Sequence, residues 1–139
     1  MILHIRGRGI SGGRASGPLL VSPVPISFLS GVDPDSGIIV EKGHPLQGAS
    51  LAGKVLAFPY GKGSTVGSYV LYALSRNGHA PAAIINAEAE AIIATGAIIG
   101  GIPMIDRIGI PLDRLKNGTV VTVNGDLGEL EYEGSPQDS

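Results

Sequence analysis

The chain has no cysteine. That excludes disulfides, thiolate catalysis and any iron–sulfur or zinc–thiolate centre ligated by these residues alone. Tryptophan is missing too, and aromatic residues make up only 4% of the sequence, so the core has to be built from Ile, Val, Leu and Ala. Neither sign of charge dominates: ten Lys and Arg stand against twelve Asp and Glu, a formal charge of −2, without a long run of either kind. No basic stripe is present to displace phosphate counterions, so nucleic acid is not an expected partner. Gly, Pro or a charge interrupts every apolar stretch before the roughly 18 residues that a spanning helix needs. No charged-then-apolar leader pattern opens the chain. A cytoplasmic protein without a membrane partner is therefore expected.

What the chain does have is glycine and proline, 22 and 10 of 139 residues, a composition of many tight turns around an aliphatic core. The length fits one α/β domain, with residues 1–133 as its body and 134–139 as a flexible tail. Strands are expected over 1–8 and 15–21, separated by a turn at Gly7, Gly9, Gly12 and Gly13. Residues 22–35 carry Pro23, Pro25 and Pro34 and predict an irregular surface loop, within which Pro25 to Pro34 is a candidate lining for a site or subunit contact. Residues 54–58 read as a buried strand. Val66, Tyr69, Val70, Ala73 and Leu74 then recur at helical spacing up to a stop at Asn77-Gly78. Residues 81–85 form another short buried strand, so a parallel pair joined by a crossover helix is predicted. A helix over 88–100 with Ile92, Ile93, Ala97 and Ile98 on its core stripe follows, then a strand over 102–105. Asn124-Gly125 between two alternating runs predicts a closing antiparallel hairpin.

The stretch with most chemical interest is Gly61-Lys62-Gly63-Ser64-Thr65-Val66-Gly67, at the carboxyl end of the first crossover strand, where ligands usually sit in such sheets. Its glycines permit positive φ and close approach to a ligand, and its hydroxyls fall where a helix begins. A helix start beside the Lys62 ammonium favours an anion and lowers the cost of a serine alkoxide. A plain βα turn with a serine N-cap accounts for the same residues. Other chemistries fit less well. Gly63 separates Lys62 from Ser64, which breaks the phosphate-loop pattern, and the glycine spacing is one residue too long for a dinucleotide fingerprint. The three histidines, His4, His44 and His79, are scattered, so no metal site is expected. No Gly-x-Ser-x-Gly elbow occurs. Glu88 and Glu90, two residues apart, would point away from each other on a helix and suit a helix amino terminus better than an acid/base couple.

Six ordered motifs carry a resemblance over nearly the whole chain: Gly12-Gly13-x-Ala15-x-Gly17, Pro25-Ile26-Ser27-Phe28, Gly31-Val32-Asp33-Pro34, Gly43-His44-Pro45-Leu46-x-Gly48, Gly61-Lys62-Gly63-Ser64, and Ala80 to Ile85 through Gly96-Ala97-Ile98. In these it resembles the small subunit of aconitase X type enzymes, whose two-chain archaeal members are phosphomevalonate dehydratases. The resemblance implies a swivelling β/β/α domain, similar to the mobile carboxyl-terminal domain of aconitase, with a mixed sheet and a closing hairpin. It implies a large partner subunit holding an iron–sulfur cluster, expected as [4Fe-4S], and a phosphorylated hydroxy acid as substrate. It implies Ser64 as proton acceptor in a dehydration toward isoprenoids, with the cluster iron as Lewis acid; Lys62, Gly63 and Thr65 would bind substrate. Relatives with further serines after the first differ here, where Thr65, Val66 and Gly67 follow. Two other readings accompany it. Some aconitase X proteins resemble cis-3-hydroxy-L-proline dehydratases, and swivelling domains also serve as phosphohistidine carriers, although this turn has no histidine.

Overall fold

The computed structural model describes residues 2–63 and 65–133. Ser64 and the expected tail over 134–139 lie outside the described residues. The strands are β1 (Ile2–Arg6), β2 (Arg8–Ser11), β3 (Arg14–Val21), β4 (Ile26–Ser27), β5 (Val55–Phe58), β6 (Gly61–Lys62), β7 (Ala83–Asn86), β8 (Met104–Asp106), β9 (Val120–Asn124) and β10 (Glu129–Glu133). The helices are α1 (Phe28–Gly31), α2 (Gly67–Arg76) and α3 (Ala91–Gly100), with a 3₁₀ turn at Leu112–Arg114.

Eight of the strands form one sheet in the order β1-β10-β9-β3-β5-β7-β8-β2. Its two edge strands are consecutive in the chain, with only Gly7 between them. The sheet therefore curls until its edges meet, and one bent strand serves both. The half around β10 and β9 is antiparallel; β3, β5, β7 and β8 run parallel, with β2 antiparallel to β8 at the far edge. The turn expected over Gly7–Gly13 is thus largely a strand. Its glycines are there because the seam brings backbones into contact: a Cβ on Gly9 would run into the Gly125 carbonyl, and one on Gly125 into the Ser11 carbonyl.

Alternation along the parallel strands divides the apolar side chains between two cores. Val55, Ala57, Ala83, Ile85 and Ile105 point inward and meet Val121, Val123, Leu130 and Tyr132 of the antiparallel half. Leu56, Phe58, Ile84 and Met104 point outward and are covered by α2 and α3. Two β-layers and one helical layer result. The expected parallel crossover is β5-α2-β7, in register Leu56↔Ile84, and the expected hairpin is β9-β10.

Three expectations change. Residues 22–35 are not a surface loop, because Ile26 of β4, Phe28 of α1 and Val32 directly after α1 are buried in the outer core. Short-range rules cannot register this, since β4 pairs with β6, far along the chain. The helix over 88–100 begins only at Ala91, and Ile98 is 58% exposed rather than on the core stripe. Ile93 and Ala97 are buried as expected, and Gly96 joins them on the inward face. Gly96 has a packing reason: a Cβ there would lie 2.8 Å from Leu71 Cδ1 and 3.1 Å from Ser68 Cα of α2. Among the described residues no helix is long and apolar enough to cross a membrane.

Gly125→Ala is expected to destabilise the fold by at least about 2 kcal/mol, because the methyl group meets backbone that cannot move aside. Equilibrium denaturation measures it; wild-type stability would show that the seam is loose.

Candidate active site at the glycine turn

The parallel strands end side by side at Val21, Phe58, Asn86 and Asp106, with Val21 one register step short of Phe58. The chain leaving β5 passes Pro59, whose carbonyl accepts the Ala87 N–H at 3.0 Å and the Glu88 N–H at 3.3 Å. Two residues later β6 pairs in parallel with β4, Ile26 opposite Gly61 and Ser27 opposite Lys62. Gly61 lies so close to the first turn of α3 that a Cβ would enter the Ile93 side chain. Gly63 has φ of +96°, and a Cβ there would sit 2.9 Å from Ser27 Oγ. Both glycines are therefore required on steric grounds. Any larger residue at Gly63 meets backbone strain and a buried hydroxyl together.

Of the residues expected to form the site, the structure brings Lys62, Gly63 and Thr65 to one turn. The expected base, Ser64, falls outside the described residues. The helix begins later than its serine suggested: α2 starts at Gly67, and Val66, whose own apolar side chain cannot cap, occupies the N-cap position. Instead Ser68 Oγ donates to the Thr65 carbonyl at 3.0 Å. Lys62 is half-exposed, and its Nζ stands 3.4 Å from Glu41 Oε2. This ammonium thus already has a carboxylate beside it.

Sequence reasoning missed the layer under the turn. Ser27, 6% exposed, shares a hydrogen bond of 3.1 Å with Ser30 Oγ of α1. Glu41 comes from the segment before β5 and is joined to the turn by tertiary contact alone. The only signal for Ser27 was its place in the Pro25-Ile26-Ser27-Phe28 motif. Glu41 had none.

Beside the turn, polar groups close the ends of β7 and β8. Asn86 is fully buried and its Nδ2 donates to the Phe58 carbonyl at 3.0 Å, tying β7 to β5. Asp106, also fully buried, accepts two hydrogen bonds from Arg8, at 2.9 and 2.7 Å, and one from the Ala89 N–H at 2.8 Å. Burial alone would push this carboxyl up, but the donors from Arg8 and Ala89 outweigh it and hold Asp106 below the ordinary aspartate range. Glu90 caps α3, accepting from the Ile92 and Ile93 N–H groups at 2.8 and 2.7 Å, as its expected place at a helix start requires. Glu88 instead lies before the helix and pairs with Arg107 at 2.6 Å; that hydrogen bond, stronger than the cost of burial, lowers its carboxyl. Elsewhere, His4, Glu129 and Glu131 bring one ligand atom each within 4.8 Å of one another on β1 and β10. Other contacts account for them: His4 shares a hydrogen bond with Glu129 at 2.6 Å, and Arg14 pairs with Glu131 at 3.3 Å.

A cavity of 680 Å³ opens at the same strand ends, lined by Val21, Pro23, Pro59, Ala87, Leu112 and Leu115 among others. It contains none of the residues of the glycine turn itself.

The family model for the aconitase X swivel domain matches residues 4–132. The chain belongs to the aconitase X swivel-domain family. It is 53% identical to the crystal structure of Thermococcus kodakaraensis aconitase X in its holo form, with a TM-score of 0.90 over 95% of this chain and 99% of that one. The phosphomevalonate dehydratase small subunit of Methanocella arvoryzae is 58% identical over 93% of this chain and 98% of its own length. That of Thermococcus gammatolerans is 57% identical over 93% and 97%. The β/β/α layering is thus that of an aconitase X swivel domain, with the glycine turn at the open end of its parallel strands.

Because the folded-state Asp106 carboxyl titrates below its unfolded value, the stability it contributes is present at neutral pH and is lost as pH falls below about 4. Asp106→Asn should cost about 2 kcal/mol at pH 7 through loss of charge-assisted hydrogen bonds. Its Tm should also fall less steeply than wild type between pH 5 and 2. Parallel Tm–pH curves for the two proteins would sink this assignment.

Proposed function

We propose that this chain is the small subunit of a hydro-lyase that removes water from (R)-5-phosphomevalonate to give trans-anhydromevalonate 5-phosphate. The supporting observation is end-to-end likeness: relatives bearing the phosphomevalonate dehydratase small subunit name match 93% of this chain and 97% or 98% of their own length. The cis-3-hydroxy-L-proline dehydratase and carrier readings have no comparable support.

In this reading Ser64 is the base that takes the proton from the carbon next to the substrate carboxylate. Serine is too weak a base unless its alkoxide is stabilised. The neighbours suited to that are the Lys62 ammonium and the positive end of the α2 dipole, which favour negative charge. Lys62 faces Glu41 at 3.4 Å in the isolated chain. An anionic substrate would compete with that carboxylate for the ammonium, so substrate binding and release of Lys62 are coupled. Gly63, held over Ser27, fixes the path of the turn. Thr65 adds the next hydroxyl.

The iron–sulfur cluster implied by the family does not fit on this chain, which offers no thiolate at all. It belongs on the large subunit, together with the groups that handle the departing hydroxyl. This chain is thus half of an active site.

Ser64→Ala in the reconstituted two-chain enzyme is expected to lower kcat by about 100-fold or more while leaving subunit association intact. Turnover within a few-fold of wild type would remove Ser64 from the role of base.

A further inference from the structure

The cavity at the strand ends is not used by the chemistry assigned to the turn, and its lining is mostly apolar. Its walls are Val21 and Pro23 after β3, Pro59 after β5, Ala87 after β7, and Leu112 and Leu115 from the segment after β8. Charge enters only through Asp113 and Lys116. We propose that this cleft is the anchor point for an apolar segment of the large subunit. The inference rests on the reading of the chain as one half of a two-chain enzyme.

Two observations connect cleft and turn. Pro59 and Ala87, which form one wall, are joined by a hydrogen bond of 3.0 Å, and Pro59 also leads directly into the turn. Lys62 follows Pro59 by three residues, at most about 10 Å of extended chain. Reacting groups have to come within about 3–3.5 Å of each other, so a partner that completes the site must touch the turn. A stable interface covers roughly 800 Å² per partner, a patch about 30 Å across. A partner centred on the turn therefore reaches over the cleft as well. Left open, a cleft with this lining would keep apolar surface in water beside the interface; filled by apolar side chains, it supplies the desolvated pocket in which binding energy concentrates. Tyr60, 49% exposed, follows Pro59 in the chain and leaves a large aromatic side chain open to a partner next to the turn.

Because the chain has no cysteine, single introduced thiols report on single places. Ala87→Cys puts one in the cleft wall. Leu127→Cys puts a control at the tip of the β9-β10 hairpin; β9 runs antiparallel to β3, so this tip is at the opposite end of the sheet, and Leu127 is 67% exposed. Maleimide labelling is followed by the mass of the small chain, alone and in the assembled pair. The expected result is at least a tenfold slowing of labelling in the Ala87→Cys variant on pairing, with no change in the Leu127→Cys variant. Equal labelling of the cleft thiol with and without the large subunit would overturn the proposal. So would its protection in the concentrated small chain alone, which would mark a second copy as the occupant. Ala87→Arg should weaken association at least tenfold; wild-type affinity would count against the cleft. Dehydration assayed on the wild-type pair separates this from the reading beneath it. An active pair with a reactive cleft thiol sinks the cleft alone, and a protected cleft thiol in a pair inert toward phosphomevalonate sinks the substrate alone.

Discussion

The contact on which the rest of this protein depends is the backbone seam where its first strand changes sides. Gly7 lies between β1, paired with β10, and β2, paired with β8. Across the seam the Gly7 N–H donates to the Gly128 carbonyl at 2.7 Å. The chain can pass there only because Gly9, Gly125 and Gly128 carry no side chain. Closing the sheet this way removes free edges, which would otherwise invite pairing with other chains. It also fixes the curvature that separates an inner core from an outer one.

That separation is what gives the glycine turn its setting. The parallel strands are covered on both faces, so their carboxyl ends are the part of the sheet left for a site. At these ends Asn86 and Asp106 fasten neighbouring segments through buried hydrogen bonds, to Phe58 and to Arg8 and Ala89 respectively. The turn is then built on this platform. Gly61 rests on Ile93 at the start of α3, and Gly63 rests on Ser27. A chain with so few aromatics reaches this rigidity by close backbone packing rather than by large side chains.

Composition limits the chemistry open to these residues. A turn carrying a hydroxyl and an ammonium can hold or move a proton and meet an anion. Without cysteine, the chain cannot by itself hold a thiolate-ligated metal. The Lys62 and Glu41 pair, half-exposed at 3.4 Å, is of the kind that contributes little to stability and can exchange partners easily.

Much of this was legible in order along the chain, because it follows from local periodicity. The buried run over Val55–Phe58, the spacing of Val70 and Leu74, the stop at Asn77-Gly78 and the Asn124-Gly125 turn each announce an element within a few residues. The glycine turn was legible as a turn at the end of a buried parallel strand, and the missing cysteine showed that a thiolate-bound centre could not be held by these residues alone. Tertiary structure alone decided the remainder. Pro25 suggested a loop, yet Ile26 and Phe28 are buried because β6 arrives to pair with β4. Ile98 suited a core stripe, yet it is exposed and Gly96 joins Ala97 on the inward face because α2 packs within reach of the Gly96 backbone. Glu41 and Asp106 carried no local mark, since their partners lie 21 and 98 residues away. Local sequence sets which backbone conformations are cheap; which faces are buried and which charges meet depends on strand pairing between distant segments, and that is settled only when the sheet closes.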